Sequence, residues 1–155
     1  MNQKTIKNSA TISGVGIHTG VHTNLTLVPA KANTGIRFIR TDLEEGATIP
    51  ANVDYVFSTN RSTNLKNKNY EVHTVEHVLA AIAAEGIDNI IVEVDNMEVP
   101  ILDGSSIKFS ELISKIGVQE LDEKKKFFEI KRKIYFTDSE SGTTFTATPA
   151  DNYQI

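Results

Sequence analysis

The stretch YEVHTVEHVLAAIAAEG, residues 70–86, contains a change of periodicity that decides the fold. Its apolar residues recur at the i, i+3, i+4 and i+7 spacing of one helical face: Val75, Val78, Leu79 and Ile82. The run LAAIAA has high helix propensity, and Gly86 is well placed to end a helix. We therefore predict a helix whose N-cap is Thr74 and whose first helical residue is Val75.

The residues before this stretch have the pattern of strands. Residues 21–28 alternate in polarity with a period of two, which indicates a half-buried strand. GIRFIR, residues 35–40, predicts a second strand. Residues 51–65 are rich in β-branched and polar side chains, and we predict short strands there, with a turn near residues 65–70.

A second strand-then-helix pattern follows the first helix. NIIVEV, residues 89–94, predicts a strand, and VPILDGSS, residues 99–106, predicts a loop. Another helical stripe comes next: Phe109, Leu112, Ile113 and Ile116. Ser105 or Ser106 is the expected N-cap of this helix, and Gly117 its expected end.

The last part of the chain begins with a charge-rich segment. QELDEKKK, residues 119–126, has the composition of a linker. Residues 127–136 and 143–150 then predict a new pair of strands. A two-stranded ribbon alone is marginally stable in water. Either these strands join the first sheet or the chain is the front portion of a longer protein, and we favour the second interpretation.

Composition narrows the class of protein. The chain has 155 residues, 39% of them hydrophobic and 23% charged, which is typical of a globular domain. The net charge is −4 and no basic face stands out, so nucleic acid is not an expected partner. The lack of cysteine excludes disulfides and thiolate zinc sites. The N-terminus is polar and no apolar run reaches bilayer length, so we expect a soluble cytoplasmic protein.

The segment His73-Thr74-Val75-Glu76-His77 fits the H-x-x-E-H pattern of some zinc peptidases. That chemistry needs both histidines on one helical face, but with Thr74 as N-cap, His73 lies outside the helix. A structural interpretation also fits, because Glu in a first turn is favoured by the helix dipole and a nearby His is often a surface residue. In a third interpretation, Glu76 and His77 point about 100° apart and flank one metal-bound water.

His18 and His22 are also four residues apart, but Gly16 and Gly20 prevent a helix there, so the spacing has no special meaning. His22 alternates with strand residues and is expected to be exposed. His18 lies in a glycine-flanked turn, where it either lines a site or is a plain turn residue.

Four segments taken together resemble a known family. They are GVGIHTG (residues 14–20), NTGIRFIRTDL (33–43), STNRSTNL (58–65) and HTVEHVLAAIAAEGIDNIIVEVDNMEVPILDGS (73–105). In this order they are similar to the UDP-3-O-acyl-N-acetylglucosamine deacetylases of Gram-negative bacteria, which catalyse the committed step of lipid A synthesis. The resemblance runs from about residue 4 to the end of the chain.

The resemblance implies an α+β fold. Its elements are a two-layer sandwich of a small, mostly antiparallel sheet against two helices, a small β insert, and the first strands of a second, similar domain. It also implies an active site between the two domains, where one zinc ion, held by two His and one Asp, serves hydrolysis of the substrate's acetamide. Matched positions make His77 a zinc ligand and Glu76 the general base. Ile17 and His18 match the loop near the substrate's entry, and Arg61 and Ser62 match the stretch beside the acyl chain.

In the family the remaining zinc ligands belong to an H-K-x-x-D pattern in the second domain, which this sequence lacks. We therefore expect a first domain at residues 1–121, a linker at 122–126 and an incomplete second domain at 127–155. The expected partners are an acylated UDP-sugar and the missing second domain. Alone, the chain is expected to be inactive and to bind zinc weakly or not at all.

Two other functions stay open at this point. One is a packing or partner-binding module without chemistry, whose uncovered apolar helix face leads to self-association. The other is the H-x-x-E-H zinc peptidase.

Overall fold

The structure is a computed structural model that describes residues 1–44 and 47–152. Its strands are β1 (Asn2–Ile6), β2 (Ala10–Val15), β3 (His22–Pro29), β4 (Ile36–Arg40), β5 (Thr48–Pro50), β6 (Val56–Ser58), β7 (Asn64–Asn67), β8 (Tyr70–Val72), β9 (Ile90–Val94), β10 (Val118–Lys124), β11 (Ile134–Thr137) and β12 (Thr144–Ala147). Its α-helices are α1 (Glu76–Ala84) and α2 (Ile107–Ile116), and a short 3-10 helix spans Val53–Tyr55. In this described part of the chain, no helix combines the length and apolar character needed to cross a bilayer.

The main sheet has five strands in the order β2-β3-β9-β4-β5. β4 and β9 are parallel, and the other neighbours are antiparallel. Alternation along the strands places Leu25 and Leu27 of β3 and Val92 and Val94 of β9 in the buried core. The strands predicted at residues 21–28, 35–40 and 89–94 are confirmed.

The two α-helices pack against each other and share one hydrophobic core with the sheet. Val78 and Ile82 of the predicted α1 stripe and Phe109 and Ile113 of the predicted α2 stripe are buried. The other predicted stripe residues within the two helices, Leu79, Leu112 and Ile116, are partly buried, and Ala81, outside the predicted stripe, is buried as well. Complete burial of a large apolar side chain contributes about 1.5–3 kcal/mol, so these stripes attach the helices to the sheet. The α+β class, with helices on a mostly antiparallel sheet, is confirmed.

The helix ends agree with the predicted stop signals. Gly86 follows α1 and Gly117 caps α2, with φ values of +67° and +80° that disfavour other residues. Ser106 occupies the N-cap position of α2 without a side-chain cap hydrogen bond. The hydroxyl of Ser105 accepts instead from the backbone N–H of Ile107 at 3.2 Å.

A small three-stranded antiparallel sheet, β6-β7-β8, is inserted between β5 and α1. The turn between β7 and β8 contains Lys68, whose φ is +54°. The short strands and turn predicted here are confirmed. The segment between β6 and β7 lies against the start of α1.

The prediction of a linker was wrong for part of its length. Residues 118–124 form β10, which pairs antiparallel with β1 and places Lys124 opposite Asn2. Most side chains of β10 are exposed, so its sequence does not alternate between polar and apolar residues as a half-buried strand does. Charged residues are common on edge strands, and β1 supplies the backbone partners that the local sequence does not reveal.

The chain divides into two compact units, Met1–Lys125 and Lys126–Ile155. In the second unit β11 and β12 form an antiparallel ribbon with Phe136 opposite Phe145. Strands predicted in this region are thus present, but β11 is shorter than the predicted residues 127–136.

Candidate active site

Glu76 and His77 are the first two residues of α1, and both are half-buried. Val75 occupies the N-cap position with a helical backbone and no side-chain cap. The prediction of Thr74 as N-cap was wrong. Its backbone is left-handed, with φ at +59°, and its hydroxyl donates to Glu98 rather than to the helix. The acidic residue in the first turn of α1 is Glu76, at the end where the helix dipole favours negative charge.

The loop before β7 holds the carboxylate of Glu76. The backbone N–H of Thr63 donates to Glu76 Oε2 at 2.9 Å. In the same place the backbone N–H of Val75 donates to the carbonyl oxygen of Thr63 at 3.2 Å. Within the described residues, Glu76 Oε1 has no hydrogen-bond partner. One carboxylate oxygen is thus anchored by the insert, while the other can accept a proton.

His73 lies outside α1 and has different neighbours. Its backbone forms a parallel bridge with Glu98, and its ring packs against Phe57 with centroids 5.9 Å apart. Its Nε2 lies 3.2 Å from Glu71 Oε2. Hydrogen bonds from Lys66 and then His73 hold the pKa of Glu71 below its usual value. His73 and His77 therefore do not form the one-helix pair that the peptidase interpretation requires.

Arg61 and Ser62 lie in the loop that contacts Glu76. Arg61 is exposed and has a left-handed backbone, with φ at +61°. Ser62 is buried, and its hydroxyl donates to Asn64 Oδ1 at 3.0 Å. The same oxygen accepts from the backbone N–H of Thr74 at 3.2 Å. The structure thus brings the backbone of this loop to the start of α1. The side chain of Ser62 is engaged in its hydrogen bond to Asn64.

Ile17 and His18 lie in the tight turn between β2 and β3. The turn is closed by hydrogen bonds from Gly16 N–H to the Val21 carbonyl (2.9 Å) and from Gly20 N–H to the Gly16 carbonyl (3.0 Å). Ile17 is 59% exposed, and His18 is exposed as well. Both side chains are accessible to solvent.

Glu98 is the residue that sequence reasoning missed. It is 1% exposed, and its carboxylate accepts from the backbone of His18 (3.0 Å), from the backbone and hydroxyl of Thr19 (2.8 and 2.7 Å) and from the hydroxyl of Thr74 (3.0 Å). Burial alone would raise the pKa of Glu98, but these hydrogen bonds together hold it below its usual value. The only signal in the sequence was a carboxylate flanked by apolar residues in MEVP, residues 97–100.

The described residues do not form a metal site by themselves. Across residues 1–44 and 47–152, no three or more His, Asp or Glu side chains cluster closely enough to hold a metal ion. His77 offers one imidazole beside a carboxylate, which fits one position of a zinc site. A catalytic zinc site typically needs several protein ligands, so His77 alone is insufficient.

Comparisons with known proteins cover nearly the whole chain. The sequence profile of the UDP-3-O-acyl N-acetylglycosamine deacetylase family matches residues 3–155. A relative from Hahella chejuensis, named UDP-3-O-acyl-N-acetylglucosamine deacetylase, is 43% identical over 155 residues, which are 100% of this chain and 51% of the relative. A relative of the same name from Idiomarina loihiensis is 44% identical over 100% of this chain and 50% of the relative. Another from Myxococcus xanthus is 42% identical over 99% of this chain and 48% of the relative. The chain spans about half the length of the curated relatives it matches.

Proposed function

This chain belongs to the UDP-3-O-acyl N-acetylglycosamine deacetylase family, and from this membership we propose that it is the N-terminal portion of a cytoplasmic, zinc-dependent deacetylase. The complete enzyme would hydrolyse the acetamide of UDP-3-O-(hydroxyacyl)-N-acetylglucosamine in lipid A biosynthesis. The observation that carries this proposal is the pair Glu76 and His77 on the first turn of α1, with the carboxylate anchored by Thr63.

We assign His77 to the metal. A neutral imidazole is a good zinc ligand, and this one is half-buried beside a carboxylate. The remaining ligands would come from polypeptide outside this sequence, in keeping with the half-length match to the relatives. A zinc ion held there would supply Lewis acidity, which polarises the amide carbonyl and acidifies a water molecule.

Glu76 would act as the general base. Oε2 is fixed by the Thr63 N–H, so the side chain is oriented before substrate arrives. Oε1 would accept a proton of the attacking water as the water oxygen bonds to the acetamide carbonyl carbon. The carbon–nitrogen bond would then break as the nitrogen takes up a proton, and the products would be a free amine and acetate. The carboxylate also lies at the positive end of the dipole of α1.

The exposed turn at Ile17 and His18 and the exposed Arg61 would contact the substrate. Ile17 offers an apolar surface, 59% exposed, near the substrate's entry. Ser62 is buried and hydrogen-bonded to Asn64, so its contribution would be to position the backbone beside Glu76 rather than to touch the substrate.

One surface favours a second role for the isolated chain, that of a partner-binding module. The outward face of α1 carries Ala80, Ala83 and Ala84, all exposed, and α2 begins with Ile107, which is 61% exposed. Small apolar residues allow close helix packing. We propose that the other half of the same polypeptide covers this face, because the chain corresponds to half of its relatives. Without that half, the chain would be inactive and prone to self-association.

The test is metal analysis and deacetylation by the complete protein. The wild type should contain zinc and release acetate from the acylated UDP-sugar. His77→Ala should lose most of its zinc and activity, whereas His22→Ala, an exposed imidazole on β3, should lose neither. Equal zinc content in wild type and His77→Ala would contradict the metal assignment. A wild type that releases no acetate would contradict the reaction.

A further inference from the structure

Glu98 lies in the segment between β9 and α2 and is buried without a countercharge. Its side chain forms no ion pair within the described residues. Burying a carboxylate is costly unless its oxygens are hydrogen-bonded. Each oxygen of Glu98 accepts two donors. Oε1 accepts from the His18 backbone and the Thr74 hydroxyl, and Oε2 accepts from the backbone and hydroxyl of Thr19.

The donors come from two segments that are distant in sequence. His18 and Thr19 belong to the exposed turn between β2 and β3, and Thr74 lies two residues before Glu76. Oε1 joins the two segments directly, because it accepts from both. The backbone of Glu98 is fixed independently, since Val99 N–H donates to the His73 carbonyl at 3.1 Å. The carboxylate is thus a rigidly mounted link between the turn and the start of α1.

Gly16 leaves the space that this carboxylate occupies. A Cβ at Gly16 would lie 2.3 Å from Glu98 Oε2 and 2.7 Å from Thr19 Oγ1. Both distances are shorter than non-bonded atoms allow. The turn can therefore approach Glu98 only with glycine at this position, and a larger residue would push the carboxylate and the turn apart.

We propose that Glu98 is a positioning residue that holds the Ile17–His18 turn in register with Glu76 and His77. This rests on the proposed function, in which the turn meets the substrate and α1 carries the reacting groups. Glutamine cannot replace the carboxylate, because its amide nitrogen would face two donors instead of accepting them. The substitution loses hydrogen bonds to the turn, while α1 keeps Glu76 and His77.

The kinetic test uses the complete protein and compares Glu98→Gln with Asp95→Asn. Asp95 is a matched control, because its carboxylate also accepts a backbone and a side-chain N–H, both from Asn24 on β3, at 2.7 and 2.6 Å. Glu98→Gln should lower kcat/KM by about 10- to 100-fold, mainly through KM, with zinc content unchanged, because substrate is positioned less well. Asp95→Asn should stay within about twofold of wild type. A Glu98→Gln variant within twofold of wild type, or one whose loss follows its zinc content, would overturn the proposal.

Two further variants test the link itself. Gly16→Ala should reproduce the KM effect of Glu98→Gln, because its Cβ displaces the same carboxylate. Thr19→Val removes one hydroxyl donor and should raise KM several-fold in the wild type, but much less in the Glu98→Gln background. Equal effects of Thr19→Val in both backgrounds would show that Thr19 does not act through Glu98. If Glu98→Gln fails to fold, Thr19→Val in the wild type still tests the link, because an unchanged KM would contradict it.

A readout without catalysis separates this inference from the proposed function. In hydrogen exchange on the 155-residue chain, the amides of His18 and Thr19 should exchange at least about tenfold faster in Glu98→Gln, because both donate to the carboxylate. The same amides should be unchanged in Asp95→Asn. Unchanged protection in Glu98→Gln would refute the link even if the enzyme deacetylates. A wild type without deacetylase activity would refute the function even if protection falls.

Discussion

Replacing Glu76 with glutamine should separate catalysis from folding. In the complete protein, we expect Glu76→Gln to lower kcat by about 100- to 10,000-fold, which is the usual contribution of a general base. Each tenfold loss corresponds to about 1.36 kcal/mol, so the activation barrier should rise by about 2.7–5.4 kcal/mol. Zinc content should not change, since His77 is untouched.

The cost to folding can be worked out from the contacts of Glu76. The amide oxygen of glutamine can accept from the Thr63 N–H, as Oε2 does now at 2.9 Å. A hydrogen bond to a charged group contributes about 1.5–3 kcal/mol and a neutral one about 0.5–1.5, so about 1 kcal/mol is lost. The lost interaction with the helix dipole adds about 0.3–1 kcal/mol. The free energy of unfolding should therefore fall by less than the activation barrier rises.

Steady-state kinetics of acetate release and thermal unfolding measure the two quantities on the same samples. Glu85→Gln is the matched control, because Glu85 follows the other end of α1 and is also partly buried. It should leave kcat within about twofold and the midpoint nearly unchanged, as is usual for such sites. A Glu76→Gln variant that keeps more than a tenth of wild-type kcat at equal zinc content would refute the general-base role. An equal loss of activity in Glu85→Gln would refute it too.

Three other outcomes follow from the structure. Phe109→Ala should lower the free energy of unfolding by about 3–5 kcal/mol in urea denaturation, because it leaves a cavity under α2, whereas Ile107→Ala, 61% exposed, should cost under about 0.5. The hydrogen bonds and charge of Arg40 hold the pKa of Asp42 below its ordinary value of 3.8. Asp42→Asn should therefore be less stable than the wild type at neutral pH, and this difference should shrink as the pH falls below 3.8. Unfolding of both proteins measured as a function of pH checks this. Ala83→Glu should reduce self-association of the isolated chain in light scattering, and an unchanged mass above the monomer would exclude this helix face as the contact.

The local parts of the fold could be predicted because their signals are local. The stripe on α1 and the alternation of β3 reflect burial of one face of a single element, and Gly86 and Gly117 fulfil backbone requirements at single positions. The family membership was also predicted from quoted motifs and is confirmed by the match over residues 3–155. The roles of Glu76 and His77 stay predictions until they are measured.

The failures share a physical cause, which is contact between segments distant in sequence. The charge run at residues 118–124 is a strand only because β1 pairs with it. The hydroxyl of Thr74, whose backbone is left-handed, donates to Glu98 instead of capping α1. Neither partner could be identified from the residues next to the misassigned positions.

The sequence by itself determined the two core helices, the central strands β3, β4 and β9, and which adjacent acid and imidazole stand at the start of α1. The tertiary structure decided what holds them in place: the Thr63 N–H on Glu76, and the buried Glu98 between the Ile17–His18 turn and Thr74. Hydrophobic periodicity can be read directly from the sequence, because each helix or strand buries one of its own faces. Hydrogen bonds between distant segments, such as the one between His18 and Glu98, 80 residues apart, exist only once the core has brought those segments together.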